Sequence, residues 1–481
     1  MASRTPQSLL KQISTIQYLK RAWKLLNTSN KKSTGLSKLS IKDFEANLNK
    51  NIQALSKSLI KGTFKFSQVK GVALAKKNKG YRPLLISEVN DRIVHKALAL
   101  KVEAKVARTY RIRNKCSFAY QKKRSIQDAI LKMASYYQQG YTHILEADIQ
   151  SFFPTVNKSM LLKDLYGKLP DDSLNHLLQG SLNQELGNRE ELKKRDLKIY
   201  HDIFVSAEEG IPQGNALSPL LANVFLSQFD QRMIKENIKM IRYADDFIIM
   251  CKTKKDAEVA YLIAVNELET KLGLKLYPLK PIAATGEKIS RILKPAETQF
   301  SFLSVKFDGK NCTVSDKKII SIINKLKDLS SLKALKENYP DQTFGLLQVL
   351  VKVRNAIEGW IAAYSFLDIE HQILELDKHV NITLFEIFNE FGFALSRSKA
   401  DKIRTQRRVK IDIVKGLTLV QNSNVKSGLN VKQRKSTGIP SCMETYKKSK
   451  GSVTFASKIQ DDLPKKRIKK LKPIIFDEAP F

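Results

Sequence analysis

Two adjacent carboxylates, Asp245 and Asp246, interrupt an apolar stretch at Lys239-Met-Ile-Arg-Tyr-Ala-Asp-Asp-Phe-Ile-Ile-Met250. Ile241 and Tyr243 before the pair and Phe247 to Met250 after it are β-branched, aromatic and apolar, which suits two short buried strands joined by a tight turn. Like charges at such a turn repel unless a cation neutralises them, so the stretch fits a divalent-metal site. Alone it reads equally well as an ordinary Asp-Asp turn. A carboxylate elsewhere has to decide between the two.

That carboxylate is Asp148, which ends the hydrophobic run His143-Ile-Leu-Glu-Ala-Asp148 and precedes Phe152-Phe153-Pro154. Between the two acidic segments, Glu209-Gly-Ile-Pro-Gln-Gly-Asn-Ala-Leu-Ser218 is a Gly/Pro loop that runs into an apolar helix, with small residues where a backbone approaches a ligand closely. Asp148, the Pro212-Gln213-Gly214 loop and Tyr243-Ala-Asp-Asp, in that order and at this spacing, resemble the palm of a reverse transcriptase. The resemblance covers roughly residues 5–395, with the N-terminal extension and the thumb similar to those of group II intron reverse transcriptases. It implies an α+β, right-hand polymerase of fingers, palm and helical thumb, with an N-terminal helical extension and a basic C-terminal extension.

Carried over residue by residue, the resemblance gives Asp148, Asp245 and Asp246, with the Ile149 backbone, as ligands of two Mg2+ ions, Mn2+ being the alternative. Phe153 matches the family's steric gate against a ribose 2′-hydroxyl, which implies dNTP substrates; Phe152 and Phe153 both serving as plain core is the other reading. Gln213 and Gly214 would line the incoming nucleotide. Lys280, in Leu272-Gly-Leu-Lys-Leu-Tyr-Pro-Leu-Lys280, stands where the family often has a lysine that protonates pyrophosphate, and a solvent-facing lysine is an equal reading. Tyr243, Phe302 in the hairpin-like Phe300-Ser-Phe-Leu-Ser-Val-Lys-Phe307, and Trp360 in Val353-Arg-Asn-Ala-Ile-Glu-Gly-Trp360 match primer-binding and template-binding positions. Ser117-Phe-Ala-Tyr-Gln121 departs from the family's pattern, with Ala119 and Gln121 in place of Gly and Arg.

Composition agrees with a polyanionic partner. The 481 residues carry 84 Lys+Arg against 47 Asp+Glu, a net charge of +37, and the basic residues run along the whole chain rather than along one amphipathic face. Cys116, Cys251, Cys312 and Cys442 show neither zinc spacing nor a disulfide-dense pattern, which fits a reducing cytosol. No apolar run approaches the ~18 residues of a membrane span, so a soluble, cytoplasmic protein without a membrane partner is expected.

In chain order, Leu9, Leu10, Ile13, Ile16, Leu19, Trp23 and Leu26 predict one helix over 6–30. Ser40 is an expected N-cap for a second, which Gly62 ends. Residues 1–65 make the N-terminal extension and 66–312 the fingers and palm. A fingers hairpin over 66–97 places Lys76 at its turn and Arg82 just beyond, both suited to triphosphate, Arg82 by bidentate contact. His95 reads as a packing residue. Asn215 and Ser218 are expected to cap the helix after the Pro-Gln-Gly loop. Residues 313–400 predict a thumb of three helices, Ile319–Leu329, Phe344–Phe366 and Ile373–Phe391.

The tail, 401–481, holds 20 Lys+Arg against 7 Asp+Glu, a net of +13, and reads as an RNA-binding or partly disordered extension. Tyr446, read as exposed, is a candidate hydroxyl for protein-primed or template-independent synthesis. Blocks that mark retrons, Asn-Ala-x-x-His before the loop and Val-Thr-Gly in the thumb, do not occur in the sequence. The nearest resemblance is to stand-alone bacterial reverse transcriptases, many of them defence-associated, that copy a structured non-coding RNA against phage into a DNA product. The alternatives are a maturase whose work is RNA binding and retron-like synthesis, with self-association left open.

Overall fold

The computed structural model describes residues 7–26, 33–75, 80–207, 209–285, 287–339 and 342–394, then 404–405, 419–420, 428–429, 434 and 437–450. The chain forms two compact units, one of residues 1–129 and 141–292, the other of residues 130–140 and 293–481.

The first unit opens with two helices where the apolar spacing predicts one. Leu9–Ile13 and Ile16–Lys24 are separated at Ser14-Thr15, because the Thr15 side chain accepts a hydrogen bond from the Tyr18 backbone N–H and starts a new helix. Ser40 caps Ile41–Ala46 in a reciprocal box with Asp43, the helix Leu48–Ile60 follows, and Gly62 stops the chain at φ +69°. β1 (Lys70–Ala75) and β2 (Tyr81–Ile86) form an antiparallel hairpin, with Leu74 opposite Arg82.

At the centre of this unit is a four-stranded sheet built from β3 (His143–Ala147), β4 (Lys239–Tyr243), β5 (Asp246–Cys251) and β6 (Arg291–Leu293), in the order β4-β5-β3-β6. The apolar residues predicted for the hairpin fill its core: Met240, Ile241 and Phe247 to Met250 are all buried. Helices Ser218–Phe225 and Ser227–Lys235 belong to the same core, and Phe229 meets Phe247 edge-on at 5.3 Å between ring centroids. Each such buried aromatic contributes about 1.5–3 kcal/mol of transfer free energy.

The second unit holds the hairpin meander β7 (Phe300–Phe302), β8 (Val305–Phe307) and β9 (Cys312–Val314), followed by four helices. Three were predicted. The fourth, Leu332–Asn338, begins where the Ser331 side chain accepts from the Ala334 N–H and restarts the chain. A further helix, Cys442–Lys450, packs on Glu370–Glu390. Its amides Cys442 and Met443 donate to Asp377, whose carboxylate also pairs with the buried Arg434. Tyr446 is therefore buried, not exposed: its hydroxyl donates to the Leu367 carbonyl at 2.5 Å, which leaves it no reach as a primer.

All four cysteines are free and buried. Among the described residues no helix is long and apolar enough to cross a membrane.

Candidate active site

The paired carboxylates sit at a two-residue turn. Tyr243 pairs with Asp246 across β4 and β5, so Ala244 and Asp245 alone make the connection. Ala244 takes φ +60°, the left-handed region that primed hairpin turns require at their first position and that a residue with a Cβ adopts at a cost of order 1–3 kcal/mol. On the other side of β5, Ala147 pairs with Phe247, and continuing that register by one step sets Asp148 opposite Asp246. Two local rules, a tight turn and an antiparallel register, thus bring together carboxylates about a hundred residues apart in sequence.

Their electrostatics record the crowding. Burial, then the charge of Asp148, raises the Asp245 carboxyl above its ordinary value, with Arg242 and Lys288 opposing. Burial and then the like charges of Asp245 and Asp148 push Asp246 up to about 7. The like-charge repulsion from Asp245 and Asp148 is the part of this shift that a bound cation reverses. Lys288 already supplies one such charge: its ammonium donates to Asp148 Oδ2 at 3.2 Å and lies 5.3 Å from the Tyr277 ring centroid. Burial works against that ammonium, and the Asp148 charge and hydrogen bond outweigh it, so its pKa rises.

Among the described residues, no three or more His, Cys, Asp or Glu side chains close around an ion on their own. The donors still suit a hard divalent ion, being oxygen-only, mutually repelling and already drawing an ammonium. Asp148, Asp245 and Asp246 are the side chains that would hold it. Ile149 pairs antiparallel with Leu276, and the Gln150 side chain donates to the Leu276 carbonyl at 2.7 Å, which fixes the backbone beside Asp148.

The remaining predicted residues fall into three groups. Phe153 and the Pro-Gln-Gly loop are brought together: Ile211 N–H donates to the Phe153 carbonyl at 2.9 Å, and a Cβ on Gly210 would lie 1.9 Å from the same oxygen, so only glycine fits. Phe152 is buried in the core while Phe153 is half-exposed, the two rings edge-on at 5.4 Å. The loop in turn holds the fingers hairpin, since Leu85 N–H donates to the Gln213 carbonyl at 2.9 Å. Gly214, at φ +106°, would drive a Cβ to 2.6 Å from the Leu85 carbonyl. Arg82 projects as an exposed side chain from β2.

Neither Asn215 nor Ser218 caps the helix Ser218–Phe225, whose N-cap position is Leu217 and carries no side-chain cap. The Ser218 hydroxyl donates back to the Pro212 carbonyl at 2.6 Å and closes the loop, and the Asn215 side chain accepts from Leu217 N–H at 2.9 Å within the turn before the helix.

Lys280 forms the second group, tied to Glu287 at 2.6 Å. The lysine against the carboxylates is Lys288, which sequence spacing missed. Gln121 is buried and donates to the Ile112 and Ser117 carbonyls, a structural role that explains a glutamine there. Tyr120 was also missed; burial and then Asp245 push its phenol to about 12. His95 is buried, stacked on Phe66 at 4.7 Å, and burial lowers it to about 3.

The third group lies in the second unit or outside the described residues. Phe302 is buried in β7, next to Leu303 and Ser304, both at positive φ, which accounts for the glycine common at that turn. Trp360 packs on Tyr364 at 5.1 Å. Lys76 and most of the tail 401–481 lie outside the described residues.

A sheet whose hairpin turn presents two acids beside a third, with a glycine loop and a two-stranded hairpin mounted against it, is the palm and fingers of a right-hand polymerase. Residues 74–307 match the family described as reverse transcriptase (RNA-dependent DNA polymerase), and this segment is a reverse transcriptase domain. The chain is 25% identical over 309 residues to Protein YkfC of Escherichia coli, covering 56% of this chain and 77% of that protein. It is 25% identical to the group II intron-encoded protein LtrA of Lactococcus lactis, covering 59% of this chain but 47% of LtrA, so it spans about half of that relative's length. Among solved structures, a partial Cas6-RT-Cas1–Cas2 complex matches at 26% identity and a TM-score of 0.32, covering 56% of this chain and 43% of that one.

Proposed function

We propose that the protein synthesises DNA on an RNA template from dNTPs, with Asp148, Asp245 and Asp246 holding two Mg2+ ions. The observation that carries this reading is the antiparallel register that sets Asp148 beside the Asp245-Asp246 turn within a reverse transcriptase domain. Bound there, the ions would activate a primer 3′-hydroxyl and neutralise the triphosphate. The chain's own residues do the positioning. The three carboxylates fix where charge accumulates, Arg82 reaches toward phosphate from β2, Gln213 and Gly214 form the floor under the base pair, and Phe153 stands where a 2′-hydroxyl would project. Phe302, Tyr243 and Trp360 are assigned to the primer and template, and the basic tail to RNA.

The template we propose is a structured RNA encoded beside the enzyme, copied in defence against phage; the sequence resemblance to stand-alone bacterial enzymes supports it. Sequencing the nucleic acid that copurifies with the protein tests this, one abundant RNA and its complementary DNA being the expected result. A maturase reading is favoured by the likeness to an intron-encoded protein. Asp245→Ala separates the two: it abolishes dNTP incorporation and leaves RNA binding intact if the protein works as a polymerase, and RNA-dependent function survives it if the protein works as a maturase.

A further inference from the structure

Arg242 is fully buried in β4, one residue before the Tyr243 that opens the catalytic turn. A guanidinium has five N–H donors, and all five are used here. Nε and Nη2 donate to the two Asp230 oxygens at 2.7 and 2.6 Å, a bidentate pair. Nη2 also donates to Ser117 Oγ at 3.0 Å, and Nη1 donates to Asn223 Oδ1 at 3.2 Å and to the Ala244 carbonyl at 2.8 Å. Asp230 is held in turn by Asn114, and Asn223 by the Ala119 carbonyl.

A buried ion pair is no general stabiliser, because desolvation offsets most of the attraction, so its presence beneath a catalytic turn calls for a geometric reason. The Ala244 contact supplies one. Ala244 is the left-handed residue, and its carbonyl, the acceptor from the buried guanidinium, belongs to the peptide that leads into Asp245. We infer that Arg242, clamped by Asp230, is the positioning residue that holds the Ala244 carbonyl and so sets the direction of Asp245 and Asp246. The inference rests on the polymerase reading of the same site. Lysine cannot replace arginine here, since three donors on one point cannot span Asp230, Asn223 and Ala244 together.

The test compares Arg242→Lys and Asp230→Asn with Ser117→Ala, which removes one guanidinium contact remote from the turn. Mn2+ binding to the nucleotide-free protein is read by electron paramagnetic resonance, alongside kcat, dNTP KM and Tm. Expected for Arg242→Lys is a kcat lowered roughly 10- to 100-fold, as small misplacements of reacting groups do, with dNTP KM within about twofold. Half-saturation by Mn2+ should rise several-fold in the same protein, and Asp230→Asn should move in the same direction even if Arg242→Lys does not fold. Ser117→Ala should lower Tm without moving Mn2+ half-saturation. Unchanged kcat and Mn2+ binding in either folded charge variant overturns the inference, and so does Ser117→Ala shifting both as far as Arg242→Lys. Asp245→Ala separates the failures: if it retains synthesis the polymerase site itself is wrong, and if it is dead while Arg242→Lys is normal, only the positioning role falls.

Discussion

Lys288 holds the Asp148 carboxylate from a position 140 residues away, and this ion pair puts a positive charge at the edge of an acidic site. The side chains are 68% and 36% exposed, so the pair is screened by water and contributes no more than ~1 kcal/mol. A bound divalent ion has to compete with it. Lys288→Met should therefore tighten Mn2+ binding to the nucleotide-free protein by up to about fivefold, the ratio that ~1 kcal/mol allows. An unchanged or weakened affinity in the calorimeter would mean the ammonium does not compete for the acids.

Phe153 stands half-exposed while Phe152 fills the core, so the two neighbours separate cleanly in their expected effects. Phe153→Val should raise rNTP incorporation relative to dNTP and lower Tm by less than Phe152→Ala, since its ring is only partly buried against the core. Phe152→Ala should instead destabilise the first unit by about 3–5 kcal/mol with no specific gain for rNTP. A single-nucleotide extension assay with matched dNTP and rNTP reads the first, thermal melting the second. An unchanged sugar ratio in folded Phe153→Val would place the gate elsewhere.

The features legible in the sequence are those set by local rules. The strand–turn–strand around Asp245, the Ser40 cap and the glycine loop at 212–214 follow from periodicity, capping chemistry and the need for a missing Cβ. Pairings across the chain were not legible. Nothing near Arg242 announces Asp230, Asn223 and Ser117 as its partners, and nothing distinguishes Lys288 from Lys280 until the segment 275–290 folds back on itself. The split of the first helix was readable in principle, because Thr15 is a good N-cap, but the continuous apolar spacing from Leu9 to Leu26 outweighed it.

Asp91 and His95, one turn apart on the helix Val89–Val106, give opposing pH dependences. Burial raises Asp91 from 3.8 to about 7, while Ser67 and Gln184 donate to it. A raised acid binds more protons folded than unfolded, so its contribution falls as pH rises from about 4 to 7. Burial lowers His95 from 6.5 to about 3, so the unfolded chain binds the extra proton and its contribution grows as pH rises from about 3 to 6.5. Each window is worth at most roughly 5 kcal/mol, and together they nearly cancel. Asp91→Asn should leave the rising slope, and His95→Gln the falling one, in Tm measured from pH 4 to 7. Parallel slopes in both variants would refute the assignment.

The tail's charge is unevenly placed relative to its structure. Of the net +13 in 401–481, residues 401–450 hold +10 and residues 451–481 hold +3. The first part is not a free extension, because Arg434, Ile439, Cys442 and Tyr446 are buried against the second unit and Arg434 pairs with the buried Asp377. Deleting 401–481 therefore strips core side chains and leaves the Asp377 carboxylate without its cation, which costs several kcal/mol before any RNA is considered. Truncation after Lys450 removes only the +3 and no described residue, so it isolates the terminal segment, which includes Phe455, Ile459, Leu463 and Phe476, all outside the described residues. If that segment acts through phosphate alone, the slope of log affinity against log salt should flatten by no more than about 6, and every RNA should lose affinity alike. If it orders on one cognate RNA, the loss should concentrate there, since folding on binding needs specific contacts to offset its entropy. The aromatic and aliphatic residues interleaved with its lysines favour the second outcome. Equal losses across unrelated RNAs at matched salt, with Tm unchanged, would establish the first.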